Sequence, residues 1–408
     1  MIPIRVAHIT TIDRSLRYLL LNQLCSIQQA GYEVVGISSP GLDVPVIEAA
    51  GVRHVSVEMT RHPFTPVQDL TALWQLYRIM RRERFTIIHT HNPKPGLLGQ
   101  LAARLAGVPV VVNTLHGFYF HDHMHPALRR LYINLEKIAA RCSDVILSQN
   151  REDIQTAVRE GICPPDKIKH LGNGIDLSVF DPDRFSDKDV RRKCEELGIP
   201  DGAKVVGFVG RLAAERKGFL DFLQAGQRVA KQCRNVCFLI IGDADPGKSD
   251  SVDPSAAKDY GIWERCRFLG WRPNSELSSL CALMDVLVLP SLFEGVPRTV
   301  MEASAMCVPA VVTNVKGNRE AVEHSRNGLL VPLGDVQALA EAIVELLTDR
   351  EKARRMGKEG RRMALERFDE RLVFEKVKAE YGRLLREKGL PVPEPQPLPV
   401  ALPVEASS

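Results

Sequence analysis

The sequence predicts an α/β protein with two doubly wound domains that face a central cleft. Short runs rich in Val, Ile and Leu alternate with helix-length amphipathic segments, a pattern typical of parallel sheets covered by helices on both faces. The alternation pauses around residues 172–202, which we interpret as a connection between domains, and then restarts. The 408 residues also exceed the roughly 250–300 residues at which a single core stops growing.

The strands can be placed by these apolar runs. In the first half they are predicted at 4–10, 33–39, 53–59, 86–91, 110–116 and 144–149. In the second half they are predicted at 204–210, 236–242, 266–270, 285–291, 309–314 and 327–332. The predicted regions are a first domain over 1–180, a second over 181–365, a helix over 366–389 that packs back on the first domain, and a Pro-rich disordered tail over 390–408.

Composition excludes several classes of protein. A formal net charge of +4 is too small to indicate a nucleic-acid partner. No run of about 18 apolar residues is present and the first residues form no signal segment, so we expect a cytoplasmic protein. The nine cysteines form no CxxC pair, which favours free thiols in a reducing compartment.

The stretch SLFEGVPRTVMEASAM (291–306) follows a predicted strand, where ligands of doubly wound sheets bind. Pro297 suits the first position of a helix, and the amides of Arg298 and Thr299 would then form an anion site. Glu302 could accept the hydroxyls of a ribose, and Glu294 those of a second polar ring. The alternative is that both acids only complement the helix dipole.

A second strand end carries two cations. In GRLAAERKGF (210–219), Arg211 and Lys217 lie where one strand ends and the next helix begins. A guanidinium and an ammonium at that edge suit a diphosphate. The alternative is an ordinary basic loop capped by Gly218. Together, two strand ends with complementary chemistry indicate a nucleotide-sugar site.

These motifs resemble a known family. GRL-x2-ERKG, a Gly-Asp loop after a strand, and FEG-x-P-x4-EA are similar to the retaining family 4 glycosyltransferases, which have two Rossmann-like domains in the GT-B fold. The resemblance covers nearly the whole chain. The stretches HTHNPKPGLLG (89–99) and NTLHGFYFH (113–121) resemble members that build surface polysaccharides.

The resemblance implies roles for individual residues. Arg211 and Lys217 would bind the donor diphosphate, Glu302 the ribose and Glu294 the transferred sugar. His116 would contact that sugar near the reacting carbon, although a histidine at a strand end can also be structural. The implied catalytic residues are His116, Arg211, Lys217 and Glu294. The other implied donor-binding residues are Arg272, Gly295, Val296, Pro297, Arg298, Thr299 and Glu302.

The acceptor side departs from the family pattern, because the loop after the first strand, ITTIDRSLRYLL, contains no glycine. The candidate acceptor residues are Thr11, Asp13, Arg14, His91, Asn92 and Lys94. No metal or other cofactor is expected. Asp243 and Asp245 are interpreted as a turn, and His89 and His91, taken as alternating strand residues, are expected to face opposite sides and share no metal.

The predicted function is therefore metal-independent, retaining transfer of a hexose or N-acetylhexosamine. The donor would be a nucleotide diphosphate sugar, most simply of uridine, and the acceptor a saccharide or lipid-linked saccharide. A nucleotide-sugar epimerase and a non-catalytic sugar-nucleotide-binding subunit stay open as alternatives, whereas a dehydrogenase is excluded by the missing GxGxxG. Arginines closing the helix 66–84 are either a solvated face or a docking site on the inner face of an anionic membrane.

Overall fold

A computed structural model describes residues 3–62, 64–91, 93–121 and 124–394. It divides into two compact units. The first runs to Leu171 and resumes at Val373, and the second is Gly172–Leu372. This differs from the predicted change of domain after residue 180, because Ile175 and Phe180 are fully buried in the core of the second unit. The predicted connection over 172–202 also contains a capped helix rather than only a linker.

The first unit is built on a parallel sheet, which has seven strands within the described residues, in the order β3-β2-β1-β4-β5-β6-β7. They are β1 (Arg5–Ile12), β2 (Glu33–Ser39), β3 (Arg53–Ser56), β4 (Ile87–His91), β5 (Val110–Leu115), β6 (Val145–Ser148) and β7 (Ile168–His170). Its helices are α1 (Asp13–Ser15), continued by a π-helical stretch Leu16–Leu20, then α2 (Leu21–Gln29), α3 (Val44–Ala49), α4 (Pro66–Glu83), α5 (Pro93–Ala106), α6 (Pro126–Cys142) and α7 (Arg151–Arg159).

The second unit repeats this plan, with six parallel strands among its described residues in the order β10-β9-β8-β11-β12-β13. They are β8 (Lys204–Val209), β9 (Val236–Ile241), β10 (Cys266–Gly270), β11 (Val286–Leu289), β12 (Ala310–Thr313) and β13 (Gly328–Val331). Its helices are α8 (Asp187–Glu196), α9 (Phe219–Gln232), α10 (Asn274–Cys281), α11 (Arg298–Ala305), α12 (Lys316–Ala321), α13 (Val336–Thr348) and α14 (Arg350–Arg367). Short 3-10 turns lie at Pro182–Arg184, Pro254–Lys258 and Trp263–Arg265.

Both faces of each sheet are covered, which explains the apolar composition of the strands. In β8, Val205 and Val209 pack into one core of the second unit, whereas Val206 and Phe208 pack into the core on the opposite face. Alternate residues of a strand face opposite sides, so a strand covered twice must be apolar throughout. No helix of the described ranges is both long and apolar enough to cross a bilayer.

The last helix, α15 (Glu370–Glu387), belongs mostly to the first unit. Its residues Phe374, Val377 and Tyr381 are buried against one face of the first sheet, at the spacing of one helical face. Leu390 and Val392, at the start of the predicted disordered tail, pack against the same core. The remainder of that predicted tail, from residue 395, lies outside the described residues.

Candidate active site

Each sheet has a point where its connections diverge. In the second unit β8 pairs with β11, while β8 continues to β9 and β11 continues to β12. Connections that leave in opposite directions open a crevice beyond the carboxyl ends of the two strands, where ligands of such sheets bind. Arg211 follows β8 and Glu294 follows β11, so both predicted residues lie at this switch point.

A lysine and a glutamate meet there. Lys217 Nζ lies 2.6 Å from Glu294 Oε1, and the hydroxyl of Ser291 donates to the same oxygen at 2.7 Å. The hydroxyl of Thr313, at the end of β12, donates in turn to the carbonyl of Ser291 at 2.5 Å. Both bonds of the Glu294 carboxylate therefore use Oε1, which orients the group and leaves Oε2 able to accept from a hydroxyl.

Arg211 lies beside an acidic loop. Its Nη2 is 3.4 Å from Asp250 Oδ1, and its Nη1 is 3.8 Å from Asp245 Oδ2. Nη1 is buried and has no hydrogen-bond partner within the part of the chain that the structure describes. Buried donors are normally satisfied, so this N–H group could donate to a further anion. The stretch interpreted from the sequence as a turn, with Asp243 and Asp245, thus lies next to Arg211.

The loop after β11 is held close to a neighbouring helix. A Cβ placed on Gly317, in α12, would lie 2.1 Å from the carbonyl oxygen of Gly295. Only glycine permits that approach. The carbonyl of Val296 accepts a hydrogen bond from Asn173 at 3.2 Å. These contacts fix the loop that leads into α11.

The helix that follows begins one residue later than predicted. Pro297 is its N-cap, and α11 starts at Arg298. The amides of Arg298 and Thr299 stand in the first turn, whose N–H groups have no acceptor within a helix. Glu302 is only 3% exposed and its Oε1 lies 3.8 Å from Arg298 Nε. Burial raises the pKa of Glu302, while Arg298 acts in the opposite direction.

Arg272 stands further along the same edge. It follows β10, which β9 separates from β8. Its Nη1 donates to the carbonyl of Trp271 at 3.1 Å, and its Nε lies 3.5 Å from Glu276. Arg272 therefore shares the carboxyl edge with Arg211 but belongs to an outer strand.

In the first unit, His116 follows β5 and contacts the neighbouring strand end. His91 Nδ1 and His116 Nε2 lie 3.1 Å apart. The expectation that His89 and His91 face opposite sides is wrong, because residues two apart on a strand share a face. Their rings stack with centroids 4.4 Å apart. Together with His8 they present ring nitrogens within 4.8 Å of one another, a spacing that a metal ion could use.

The predicted acceptor residues near the first strand have different surroundings. Thr11 lies inside β1 rather than in the loop after it. Asp13 is buried, and its carboxylate accepts from the backbone N–H groups of Arg14 at 2.9 Å and Asp43 at 2.8 Å. Asp13 therefore fastens one loop to the next, while the side chain of Arg14 is largely exposed.

Lys94 is fully engaged within the first unit. Its ammonium lies 2.7 Å from Thr60 Oγ1, 2.9 Å from Thr65 Oγ1 and 2.7 Å from Asp69 Oδ1. These three contacts match the three N–H donors of the group, so Lys94 braces this region. Asn92, the remaining predicted acceptor residue, lies outside the described residues.

Two family models match the chain, Glycosyl transferase 4-like domain over residues 18–174 and Glycosyl transferases group 1 over residues 189–363. An Escherichia coli relative, UDP-Gal:alpha-D-GlcNAc-diphosphoundecaprenol alpha-1,3-galactosyltransferase, is 33% identical over 286 residues, 70% of this chain and 72% of the relative. The chain belongs to the family 4 glycosyltransferases. Their GT-B fold is the fold of this glycosyltransferase too.

The glycosyltransferase is also similar to Staphylococcus aureus CapM, a capsular polysaccharide biosynthesis glycosyltransferase, with 27% identity over 94% of this chain and 98% of the relative. A crystal structure of Anabaena HepE in complex with UDP and glucose matches with a TM-score of 0.78 and 21% identity, covering 93% of this chain and 100% of HepE. At that identity the structural likeness supports the fold alone.

Several hydrogen-bond and ion-pair partners of the predicted site residues of this glycosyltransferase were not predicted from the sequence. Ser291 could have been suspected, because it ends the predicted strand 285–291, three residues before Glu294. Asp250 lies 39 positions from Arg211 and had no local signal. The bonding of His116 to a group of buried histidines was also missed, since it depends on the pairing of strands that are distant in sequence.

Proposed function

We propose that this glycosyltransferase moves a hexose or N-acetylhexosamine from a uridine diphosphate sugar to a saccharide or lipid-linked saccharide in surface polysaccharide biosynthesis. The observation that carries the proposal is the switch point of the second sheet. There Lys217 bonds Glu294, and a buried N–H of Arg211 has no hydrogen-bond partner among the residues that the structure describes. The E. coli relative is named for a UDP sugar and a diphosphoundecaprenol acceptor, and HepE was crystallised with UDP and glucose.

In this proposal the second unit binds the donor. Arg211 and Lys217 contact the diphosphate, and the first-turn amides of Arg298 and Thr299 add N–H donors to it. Glu294 accepts a hydroxyl of the transferred sugar through Oε2. Buried Glu302 accepts the ribose hydroxyls, which compensates for the cost of burying its carboxylate.

The proposed reaction retains the anomeric configuration. The bond between the anomeric carbon and the diphosphate oxygen breaks, and the acceptor hydroxyl bonds to the same face of that carbon. The hydroxyl proton passes to the departing diphosphate oxygen, so no group on the protein has to take it. The negative charge that develops on the diphosphate is stabilised by Arg211 and Lys217, without a divalent cation. His116 would contact the transferred sugar near the reacting carbon, as the family resemblance implies.

The test of the reaction is a panel of nucleotide sugars incubated with and without bacterial lipid extract, with products followed by mass spectrometry. We expect nucleotide release that depends on the acceptor, that persists in EDTA, and that yields an α-linked product from an α-linked donor by NMR. Isomerised donor without acceptor would instead show an epimerase, and binding without any change a non-catalytic subunit. Inactivation by EDTA would refute metal independence.

The assignment of the cations is tested by substitution. Arg211→Ala combined with Lys217→Ala should reduce turnover by at least about a thousandfold, because about two charge-assisted contacts to the diphosphate are lost. The matched control is Lys204→Ala. Lys204 begins the same strand at the opposite edge of the sheet and is bonded to Asp285 at 3.0 Å. An active double variant, or an equal loss in the control, would overturn the assignment.

We further propose that the protein docks on the cytoplasmic face of an anionic membrane through α4. The buried residues of this helix are Ala72, Leu76 and Met80. Val67, Leu70 and Trp74 of the same helix are 76%, 67% and 55% exposed.

The exposed apolar residues continue into a cationic surface. Arg78 stacks on Trp74 with its guanidinium carbon 4.6 Å from the ring centroid. The positions 67, 70, 74, 78 and 81 follow helical spacing and so form one stripe, apolar at its start and basic at its end. A helix with such a stripe suits the interface of an anionic bilayer, where a lipid-linked acceptor would be found.

The docking proposal is tested by flotation with anionic and with neutral vesicles. We expect binding to anionic vesicles, and its loss when Arg78 and Arg81 are changed to Glu or when Leu70 and Trp74 are changed to Ser. Reversing the charges of Arg354 and Arg355, which are exposed on α14, alters the net charge equally and should leave binding unchanged. Wild-type protein that stays with the unbound fraction would refute docking.

A further inference from the structure

A chain of side-chain hydrogen bonds runs through the first unit behind His116. Its members, in order, are His116, His91, His8, Tyr381, His89 and Thr114. The successive distances are 3.1, 3.0, 3.1, 2.6 and 2.7 Å. The five members behind His116 are buried, at 3% exposure or less, and they come from β1, β4, β5 and α15. No family motif quoted above contains His8 or Tyr381.

The chain is constrained because its rings are neutral. Burial lowers the pKa of His8 to about 3, and burial together with neighbouring rings lowers the pKa of His89 and His91 well below the usual range. A neutral imidazole carries one N–H and offers one acceptor nitrogen. Each buried ring here contacts a partner at both nitrogens, so it must donate on one side and accept on the other. All bonds of the chain therefore point in one direction.

The far end of the chain selects that direction. If the chain pointed towards Thr114, His89 would donate to Thr114 Oγ1, and the threonine hydroxyl would have no acceptor among the described residues. If it points towards His116, the hydroxyl donates to His89 and every group is satisfied. The distances at Tyr381, shorter to His89 than to His8, would suit the opposite direction. A buried hydroxyl without an acceptor costs more free energy than these small differences in hydrogen-bond length.

We propose that His8, His91 and Tyr381 are positioning residues that hold the ring of His116 and restrict it to one tautomer. His91 donates to Nε2 of His116, so the neutral His116 ring carries its proton on Nδ1. That nitrogen is then an N–H donor rather than a general base. This inference rests on the proposed function for its catalytic consequence, but the tautomer itself does not depend on it.

A metal ion at the same histidines is the competing interpretation. The rings of His89 and His91 stack, with centroids 4.4 Å apart and an interplanar angle of 22°. Lone pairs lie in the ring plane, so stacked rings do not direct theirs at a common point. The ring nitrogens are also already bonded to one another, to Tyr381 and to Thr114. The hydrogen-bonded chain accounts for every nitrogen without an ion.

The experiment records long-range ¹H–¹⁵N spectra of protein labelled with [¹⁵N]histidine, with the His116 signals assigned from His116→Gln. In the wild type we expect His116 to carry its proton on Nδ1. Tyr381→Phe keeps the ring but breaks the chain, and Thr114→Val removes its terminal donor with little change of shape. Both should move His116 towards the Nε2–H tautomer. Tyr32→Phe is the matched control, because Tyr32 packs edge-on against Tyr381 with centroids 5.8 Å apart and has no part in the chain.

Kinetics provide the second measurement. Tyr381→Phe and Thr114→Val should lower kcat by about tenfold to a hundredfold, the scale seen when a partner that orients a functional histidine is removed, with donor KM changed less than about twofold. Tyr32→Phe should change neither. An unchanged tautomer in both chain variants, or one equivalent of metal bound in the purified protein, would overturn the proposal. If the tautomer responds but the wild type transfers no sugar, the proposed function fails and the positioning of His116 stands.

Discussion

Lowering the pH should destabilise the first unit steeply, because three neutral histidines are sealed in its core. The pKa of His8 is lowered to about 3, and those of His89 and His91 lie well below the usual range, in each case chiefly through burial. In the unfolded chain each would titrate near about 6.5. Since the folded pKa values are depressed, the stabilisation is complete above about 6.5 and is lost progressively as the pH falls towards about 3.

The magnitude follows from proton linkage. Between about pH 7.5 and 5.5 an unfolded histidine goes from about one-tenth to about nine-tenths protonated, while the folded ring stays neutral. The free energy of unfolding then falls by about 1.4 kcal/mol per histidine, or about 4 kcal/mol for the three. That is a large share of the roughly 5–15 kcal/mol typical of a folded domain.

The assay is urea unfolding followed by circular dichroism at three pH values across this range. His8→Gln should destabilise the protein at every pH but reduce the pH-dependent loss by about one-third. The unfolding transition that His8→Gln shifts should be that of the first unit. His62→Gln, at an exposed position of the same unit, is the control and should leave the slope unchanged. A stability that is level from about pH 7.5 to 5.5, or a slope that His8→Gln does not alter, would refute the reasoning.

The remaining predictions concern single residues. Glu302→Gln should raise the donor KM at least about tenfold while the fold persists, because a charged hydrogen bond to the ribose is weakened; a near-normal KM would refute the ribose role. Gly218→Ala should destabilise more than Gly261→Ala in urea unfolding. Both glycines have a left-handed backbone, which costs about 1–2 kcal/mol for a residue with a Cβ. At Gly218 the added Cβ would also lie 2.0 Å from the carbonyl oxygen of Pro290, whereas at Gly261 it would meet no atom within 4 Å. Equal losses of stability in the two variants would contradict this reasoning. Burial raises the pKa of Glu136 to about 7, which means that the folded protein favours the protonated carboxyl group. This preference stabilises the fold at low pH, and the stabilisation is lost as the pH rises through about 7. The difference in the free energy of unfolding between Glu136→Gln and wild type should therefore shift by about 2 kcal/mol in favour of the variant from pH 5 to pH 8. A difference that does not change with pH would contradict the raised pKa.

The sheets could be predicted from the sequence because their physical cause is local. A strand buried on both faces must be apolar along its length, and runs such as VVVNTL and VCFLII show this directly. β7 was missed because its three residues, IKH, contain only one apolar side chain. The region around Ile175 and Phe180 was assigned to a connection because charged and turn residues surround it. Its burial depends on contacts such as that of Ile175 with Phe368, nearly two hundred residues away.

The candidate donor site was predictable for a similar reason. Each of its functional groups lies just after a strand, and parallel topology gathers those positions at one edge. The groups that orient them are less accessible to sequence reasoning. Tyr381 reaches His89 across 292 positions, and nothing in the sequence of α15 distinguishes this tyrosine from an ordinary core aromatic. The error over His89 and His91 was of another kind, since period-two spacing already places them on one face.

The ion pairs at the switch point of the second sheet affect how a diphosphate would bind there. Lys217 contacts Glu294, and Arg211 lies near Asp245 and Asp250, so carboxylates lie near both cations and moderate the local positive charge. Within the described ranges, Lys217 uses one of its three N–H donors, on Glu294, and Nη1 of Arg211 has no hydrogen-bond partner. A diphosphate can therefore bond both cations without breaking either pair. Glu294 would then keep its orientation towards the sugar while the phosphates bind, which couples recognition of the two halves of the donor through a single ammonium group.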